Sequence, residues 1–145
     1  MPTRKNSPSD VEFADRSTTA GNLFFTATVL DHHFEVANSV IDGIHPLPNG
    51  GDGPVAGKVV RFDVAFSEPF DLPADHYFFV PQVELPGRQG NFLWLSAPHP
   101  KFTGDLQTWI RNSNLDPDWL RVGTDIVSGT TFNGSFSLIG ETLAN

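Results

Sequence analysis

Residues 58–66 have the sequence Lys58-Val59-Val60-Arg61-Phe62-Asp63-Val64-Ala65-Phe66, the most regular alternation of apolar and polar positions in the chain. The even-numbered positions from Val60 to Phe66 are all apolar, whereas the positions between them include Arg61 and Asp63. A period of two residues is that of a β-strand with one buried face and one face in water. This segment therefore predicts a strand whose Val60, Phe62, Val64 and Phe66 side chains face a core.

Similar segments on both sides of this strand predict further strands. Residues 22–30 alternate with threonine and aromatic residues, which favours a half-buried strand. The other predicted strands lie at residues 34–41, 77–85, 92–97, 106–111, 124–127 and 135–139. Pro81 lacks an N–H group, so residues 77–85 are expected to form an edge strand or a bulged one. We also expect Phe132, Phe136 and Leu138 to lie in the core.

Glycine and proline separate these strands, and only one segment favours a helix. Residues 42–57 are rich in both residue types and predict a long loop. Near residues 115–121, Asp116 as a cap and Pro117 at the first helical position predict one short helical turn. Many short strands without alternating helices are typical of an antiparallel β-sandwich or a jelly-roll. We therefore expect a flexible lead-in at residues 1–10 and a single β-sandwich domain at residues 11–145.

The composition is that of an acidic globular chain without cysteine. Of the 145 residues, 39% are hydrophobic and 18% are charged, which is too apolar for a disordered tail. The formal net charge of −8 opposes binding to nucleic-acid phosphates, and no segment is apolar and long enough to predict membrane insertion. The absence of cysteine excludes disulfide frameworks, zinc fingers and thiol catalysis. The polar N-terminus predicts no signal peptide in this chain.

Five stretches resemble a family of bacterial exported β-sandwich proteins, secreted or sorted to the cell surface. They are residues 6–13, 38–46, 70–83, 92–98 and 118–126. The clearest similarity is in Leu72-Pro73-Ala74-Asp75-His76-Tyr77, which is followed by a glycine-containing turn and by Phe92-Leu93-Trp94. The resemblance implies a β-sandwich, an exported parent protein and an extracellular or cell-surface location. It assigns no activity and no catalytic residue.

The position of the first stretch departs from that family. In proteins of that kind it lies inside a longer chain, behind a signal peptide and further strands, whereas here it begins a few residues after Met1. We therefore expect a fragment or an N-terminally truncated member, with a genuinely short protein as the alternative. A domain that lacks strands exposes a sheet edge or completes its sheet with another chain.

Two groups of oxygen-bearing side chains are candidate calcium ligands. One group is Asp42, Asn49 and Asp52 in the long loop, and the other is Asp116, Asp118 and Asp125. Calcium prefers hard oxygen ligands of this kind, although neither spacing is that of an EF-hand loop. The alternative is that these residues only form turns and cap helices.

The aromatic residues Trp94, Trp109, Trp119 and Tyr77 are candidates for a ligand-binding platform. Sugar rings stack on flat aromatic faces, and nearby polar groups bind their hydroxyls. The alternative is that these rings pack in the core or at its rim.

A third candidate site is a two-histidine, one-carboxylate iron site of the kind found in jelly-roll oxygenases. His33 and Glu35 fall on one face of an extended strand, and His99 would supply the second imidazole. Arg111-Asn112-Ser113 resembles a clamp for the carboxylate of a co-substrate. With five histidines in the chain, surface histidines at strand ends are the simpler interpretation.

These observations favour a non-catalytic structural or adhesive module of a bacterial exported protein. The partner would be a glycan or another protein chain, with no resident cofactor except a candidate calcium ion. A carbohydrate-binding module is the first alternative, and a small jelly-roll metal-dependent enzyme is the second.

Overall fold

The computed structural model describes residues 7–8, 12–41, 49–87, 90–97, 107–111, 119–129 and 133–142. The strands in these segments form three antiparallel pairs, β1 with β2, β3 with β6 and β4 with β5. In chain order they are β1 at Leu23–Val36, β2 at Val55–Phe66, β3 at Ser96–Ala97, β4 at Trp109–Arg111, β5 at Trp119–Arg121 and β6 at Asn133–Gly134. The described chain is therefore all-β, as predicted. A sandwich or jelly-roll arrangement of these pairs stays a prediction.

The largest element is the ribbon of β1 and β2. Its register pairs Leu23 with Phe66 and Val29 with Val60, and directly paired residues share one face of a sheet. Leu23, Phe25, Ala27 and Val29 therefore share a face with Val60, Phe62, Val64 and Phe66, which we call the apolar face. The opposite face carries an exposed ion pair in which Arg61 Nε lies 3.0 Å from Asp63 Oδ2.

Strand β1 runs through a segment that the sequence divides into two strands. Two irregularities, between Val29 and Asp31 and between Asp31 and Phe34, each place one extra residue on β1. They account for the pairing of the 14 residues of β1 with the 12 residues of β2. Bulges of this kind interrupt the alternation, so one strand resembles two in the sequence.

Side-chain hydrogen bonds organise two turns of the ribbon, one before β1 and one between β1 and β2. Before β1, Ser17 accepts from Ala20 N through Oγ and donates its N–H to Asn22 Oδ1. Between the strands, the Asn38 side chain accepts from Gly53 N at 3.1 Å and donates to Gly50 O at 2.8 Å. Local side-chain bonds of this type organise turns that would otherwise leave backbone groups unpaired.

The buried core of the described chain lies away from the ribbon, around β5. Its apolar members are Trp119, Leu120, Val122 and Ile126, and Ser7 and Pro8 are also buried. A short π-helical turn at Val122–Val127 follows β5 directly. Asp125 Oδ2 accepts from Arg121 N at 2.7 Å, and Ser128 ends the turn in the left-handed conformation with φ 62°.

Several expected elements differ in the structure. A short π-helix at Val122–Val127 replaces the strand expected at 124–127. Of the helical turn predicted near 115–121, residues 119–121 form β5, and residues 115–118 lie outside the described residues. Residues 77–85 and 135–139 form no strand, and only Ser96 and Ala97 of residues 92–97 are paired. Phe136 and Leu138 are exposed rather than in the core, and Phe132 lies outside the described residues.

The predicted core face of β2 is correctly grouped but poorly covered. Phe62, Val64 and Phe66 are each at least 36% exposed. Few described segments lie against this face, and the ring contacts from Phe92 and Phe70 cover it only in part. The apolar face therefore remains largely open to solvent.

Candidate functional site

A continuous row of six aromatic rings crosses the described structure, and we call it the aromatic strip. In spatial order it consists of Phe25, Phe62, Phe92, Trp94, Phe79 and Phe136. Successive ring centroids lie 5.9, 5.9, 5.9, 5.8 and 5.2 Å apart. These separations are those of interacting aromatic pairs, which prefer tilted or edge-to-face arrangements.

The ribbon and three neighbouring segments position these rings. Phe25 and Phe62 are diagonal neighbours on the apolar face, because Phe25 pairs directly with Val64. Phe92 and Trp94 are two residues apart and contact each other. Trp94 also packs on Gly134, where an added Cβ atom would lie 2.6 Å from the indole Nε1. The close approach of strand β6 thus holds the indole in the strip.

Five of the six rings of the aromatic strip are more than a third exposed to solvent. Phe25, Phe62, Trp94, Phe79 and Phe136 are between 38% and 51% exposed, and Phe92 is half-buried. Since a large aromatic side chain presents roughly 200 Å², the open part of the strip amounts to about 500 Å². That is within the range of about 300–600 Å² for the largest apolar patch of an ordinary monomer, and such patches are often functional.

The rings of the strip cross one another instead of lying in one plane. Trp94 makes an angle of 78° with Phe79 and also with Phe92. A herringbone arrangement presents ring edges as well as faces.

The four aromatic residues singled out in the sequence occupy different surroundings. Trp94 belongs to the strip, Trp119 is buried in the core at 8% exposure, and Trp109 contacts Phe78 at 6.5 Å. The Arg121 guanidinium lies 5.0 Å from the Trp109 ring centroid. No ring contact in the described residues joins two of the four. The structure thus does not gather them into one platform.

Tyr77, the fourth of these residues, is held at a corner of the chain. Its hydroxyl donates to the Pro73 carbonyl oxygen at 2.5 Å. Desolvation, and after it the carboxylates of Asp75 and Asp71, raise the pKa of Tyr77 above its ordinary value of 10.0. Both effects disfavour the phenolate, so Tyr77 acts as a neutral hydrogen-bond donor that closes the corner.

The described members of the candidate calcium groups bind backbone N–H groups. Asp52 Oδ2 accepts from Ile41 N at 2.6 Å, Asn49 Oδ1 accepts from Gly51 N at 2.9 Å, and Asp125 accepts from Arg121 N. These are the bonds expected of turn-forming and capping residues. Asp42, Asp116 and Asp118 lie outside the described residues.

The candidate iron ligands lie at the bulged end of the ribbon. His33 and Glu35, together with His32, line an open depression of about 360 Å³ on β1. Asp31 Oδ1 accepts from His33 N within the bulge at 2.8 Å. Among the described residues, no three histidine or carboxylate side chains lie close enough together to hold a metal ion. His99, Asn112 and Ser113 are outside those residues, whereas Arg111 ends β4.

Sequence analysis missed the five phenylalanines of the strip as candidate functional residues. Phenylalanine has no polar tip, so its alternation with polar residues was interpreted as a core. The available signal was the count of thirteen phenylalanines, because a chain with few long elements has little interior to cover them.

Comparisons with protein-family models, with curated proteins and with solved structures found no match to this chain. Among the described residues, no helix has the length and apolar character needed to cross a membrane. The function is therefore inferred from the aromatic strip and the ribbon themselves.

Proposed function

We propose that this chain is a non-catalytic structural or adhesive module that works by packing its aromatic strip against another macromolecule. The observation that carries the proposal is the strip itself, six contacting rings of which five are more than a third exposed. Apolar surface of this extent is stabilised when it leaves water, at roughly 25 cal/mol per Å². The resemblance to exported bacterial proteins supports a location at or beyond the cell surface.

The favoured partner is a protein surface. Trp94 crosses its two neighbouring rings at 78°, so the strip offers ring edges as well as faces to the apolar side chains of a partner. Aromatic residues at the centre of an interface commonly contribute most of its binding energy. A glycan is the alternative partner, and the same experiment separates the two.

The test measures binding of the purified chain to isolated cell envelopes of the organism that encodes it. The double variant F79S/F136S removes the two rings at the end of the strip farthest from β1 and β2. Each substitution removes roughly 100 Å² of exposed apolar surface, whose burial in the complex contributes about 2 kcal/mol to the binding free energy. We expect binding to weaken more than tenfold, whereas the control I139S, which alters a fully exposed residue outside the strip, binds normally.

Treatment of the envelopes identifies the partner. Loss of binding after protease treatment supports a protein, and loss after periodate oxidation supports a glycan. Undiminished binding by F79S/F136S, with both variants folded by circular dichroism, would overturn the proposed role of the strip.

A further inference from the structure

Among the described residues, no strand pairs with the outer edge of β2, which is 12 residues long. In the described part of the chain, β2 forms backbone hydrogen bonds to β1 alone, and β1 and β2 form a sheet of two strands. An exposed edge presents a row of free N–H and C=O groups that template pairing with another strand. A two-stranded ribbon is also marginally stable by itself, so a further strand would stabilise it.

The edge of β2 is better suited to pairing than the edge of β1. Both bulges lie on β1, between Val29 and Phe34, and a bulge twists an edge away from a partner. Strand β2 runs from Val55 to Phe66 without an extra residue and contains no proline. Its residues from Arg61 to Phe66 are all exposed.

The side chains of β2 complement a second copy of β2 placed antiparallel to it. If Phe62 lies on a two-fold axis, Arg61 falls opposite Asp63 of the second copy, and Asp63 falls opposite Arg61. The same register places Val60 opposite Val64 and keeps both apolar faces on one side of the joint sheet. Opposite charges and paired apolar side chains at such positions stabilise antiparallel strands.

Other registers lack this complementarity. A two-fold axis at Arg61 places two guanidinium groups opposite each other, and an axis at Asp63 places two carboxylates opposite each other. A register shifted by a single residue would put the apolar face of one copy beside the charged face of the other. The axis at Phe62 is the register that pairs both charges of each copy with opposite charges.

From this edge we infer that two copies of the chain associate through β2 to form a continuous four-stranded antiparallel sheet centred on Phe62. The inference rests on the proposed function, because it identifies a second copy of the chain as one of the macromolecules that the module binds. Overlap of residues 58–66 extends over about 30 Å at the usual rise per residue. The arrangement also brings the two aromatic strips together at Phe62.

Engineered charges test the register. R61D makes both charged positions negative, and D63R makes both positive, so each variant repels its own copies. Mixed together, the variants restore two complementary pairs per dimer. In an equimolar mixture random pairing gives mixed and like dimers in a 1:1 ratio, and by native mass spectrometry we expect this ratio to rise about tenfold in favour of the mixed dimer, given typical cross-strand charge effects. An ion pair that acts only within one chain predicts no preference for the mixed dimer.

Cross-linking gives an independent test, because the chain contains no cysteine. F62C should form an intermolecular disulfide, since residues at the two-fold axis face each other within the usual Cα separation of about 4.4–6.8 Å. The matched control V64C should not, because its two copies lie about 13 Å apart along the strands. A mixture of V60C and V64C should cross-link between the two variants.

In analytical ultracentrifugation the unaltered chain should sediment as a dimer, with twice the chain mass of 15.9 kDa. A monomer up to the solubility limit would overturn the inference, as would equal cross-linking of F62C and V64C or a random proportion of mixed dimers. Such a failure leaves the proposed function testable by F79S/F136S, whose substitutions lie outside β2.

Discussion

Replacing Ile126 with alanine should be among the most destabilising single substitutions in the described chain. Ile126 is fully buried in the π-helical turn, and its carbonyl oxygen accepts from Asn49 N at 2.9 Å and from Gly50 N at 3.2 Å. The substitution removes three buried carbon atoms, about 0.8 kcal/mol each, and leaves a cavity. We expect a loss of about 3–4 kcal/mol in the free energy of unfolding, a large fraction of the 5–15 kcal/mol typical of a domain.

The assay is equilibrium unfolding in urea, followed by tryptophan fluorescence, because Trp119 lies in the same core. The matched control is I139A, since Ile139 is 100% exposed and the same atoms are removed. I126A should strongly lower the urea concentration at the midpoint of unfolding, with an unchanged dependence of the unfolding free energy on urea. I139A should leave the midpoint unaltered. Equal midpoints for the two variants would refute the placement of the core around β5.

Three further outcomes are expected. The Arg16 guanidinium lies 4.2 Å from the Phe70 ring centroid and donates to the carbonyl oxygens of three residues, Asp15, Glu68 and Pro69. Because lysine cannot form this fork, R16K should lower the free energy of unfolding by about 1–2 kcal/mol in thermal denaturation. G134A should destabilise by about 1–3 kcal/mol and shift the fluorescence of Trp94, because the new Cβ would lie 2.6 Å from its Nε1. The single tyrosine, Tyr77, should titrate above pH 10.0 by ultraviolet absorbance. Since folding raises its pKa, stability present below pH 10.0 should decline as the pH rises through the folded pKa; a midpoint at or below pH 10.0 would contradict this.

The ribbon could be predicted from the sequence because period-two alternation is a local property. The alternations at residues 22–30 and 58–66 correspond to most of β1 and β2. The continuation of β1 through His32 and His33 could not be predicted, because the bulges are defined only by the partner strand. The edge or bulged strand predicted at residues 77–85 was wrong, because the structure has no strand there; Pro81 lacks the N–H group that a strand ladder needs.

The core and the candidate site were harder to predict because both depend on distant contacts. Trp119, Leu120 and Ile126 are buried by β4 and by the π-helical turn, and no periodicity in residues 119–127 indicates that arrangement. Of the aromatic strip, only Trp94 was a predicted site residue. The six rings of the strip come from five separate segments, and a pattern along one chain segment does not show which rings meet.

The paired bulges of β1 make insertions and deletions in this strand interdependent. Each extra residue reverses which side of the ribbon the following side chains occupy, and the second reversal cancels the first. Glu35, paired with Ala56, thereby returns to the side occupied by Val29. Loss of one extra residue alone would exchange the sides of Glu35 and Phe34, so that each would lie on the face that the other now occupies. We expect homologous chains to retain both extra residues or to lack both, so strand lengths among relatives should differ here by two.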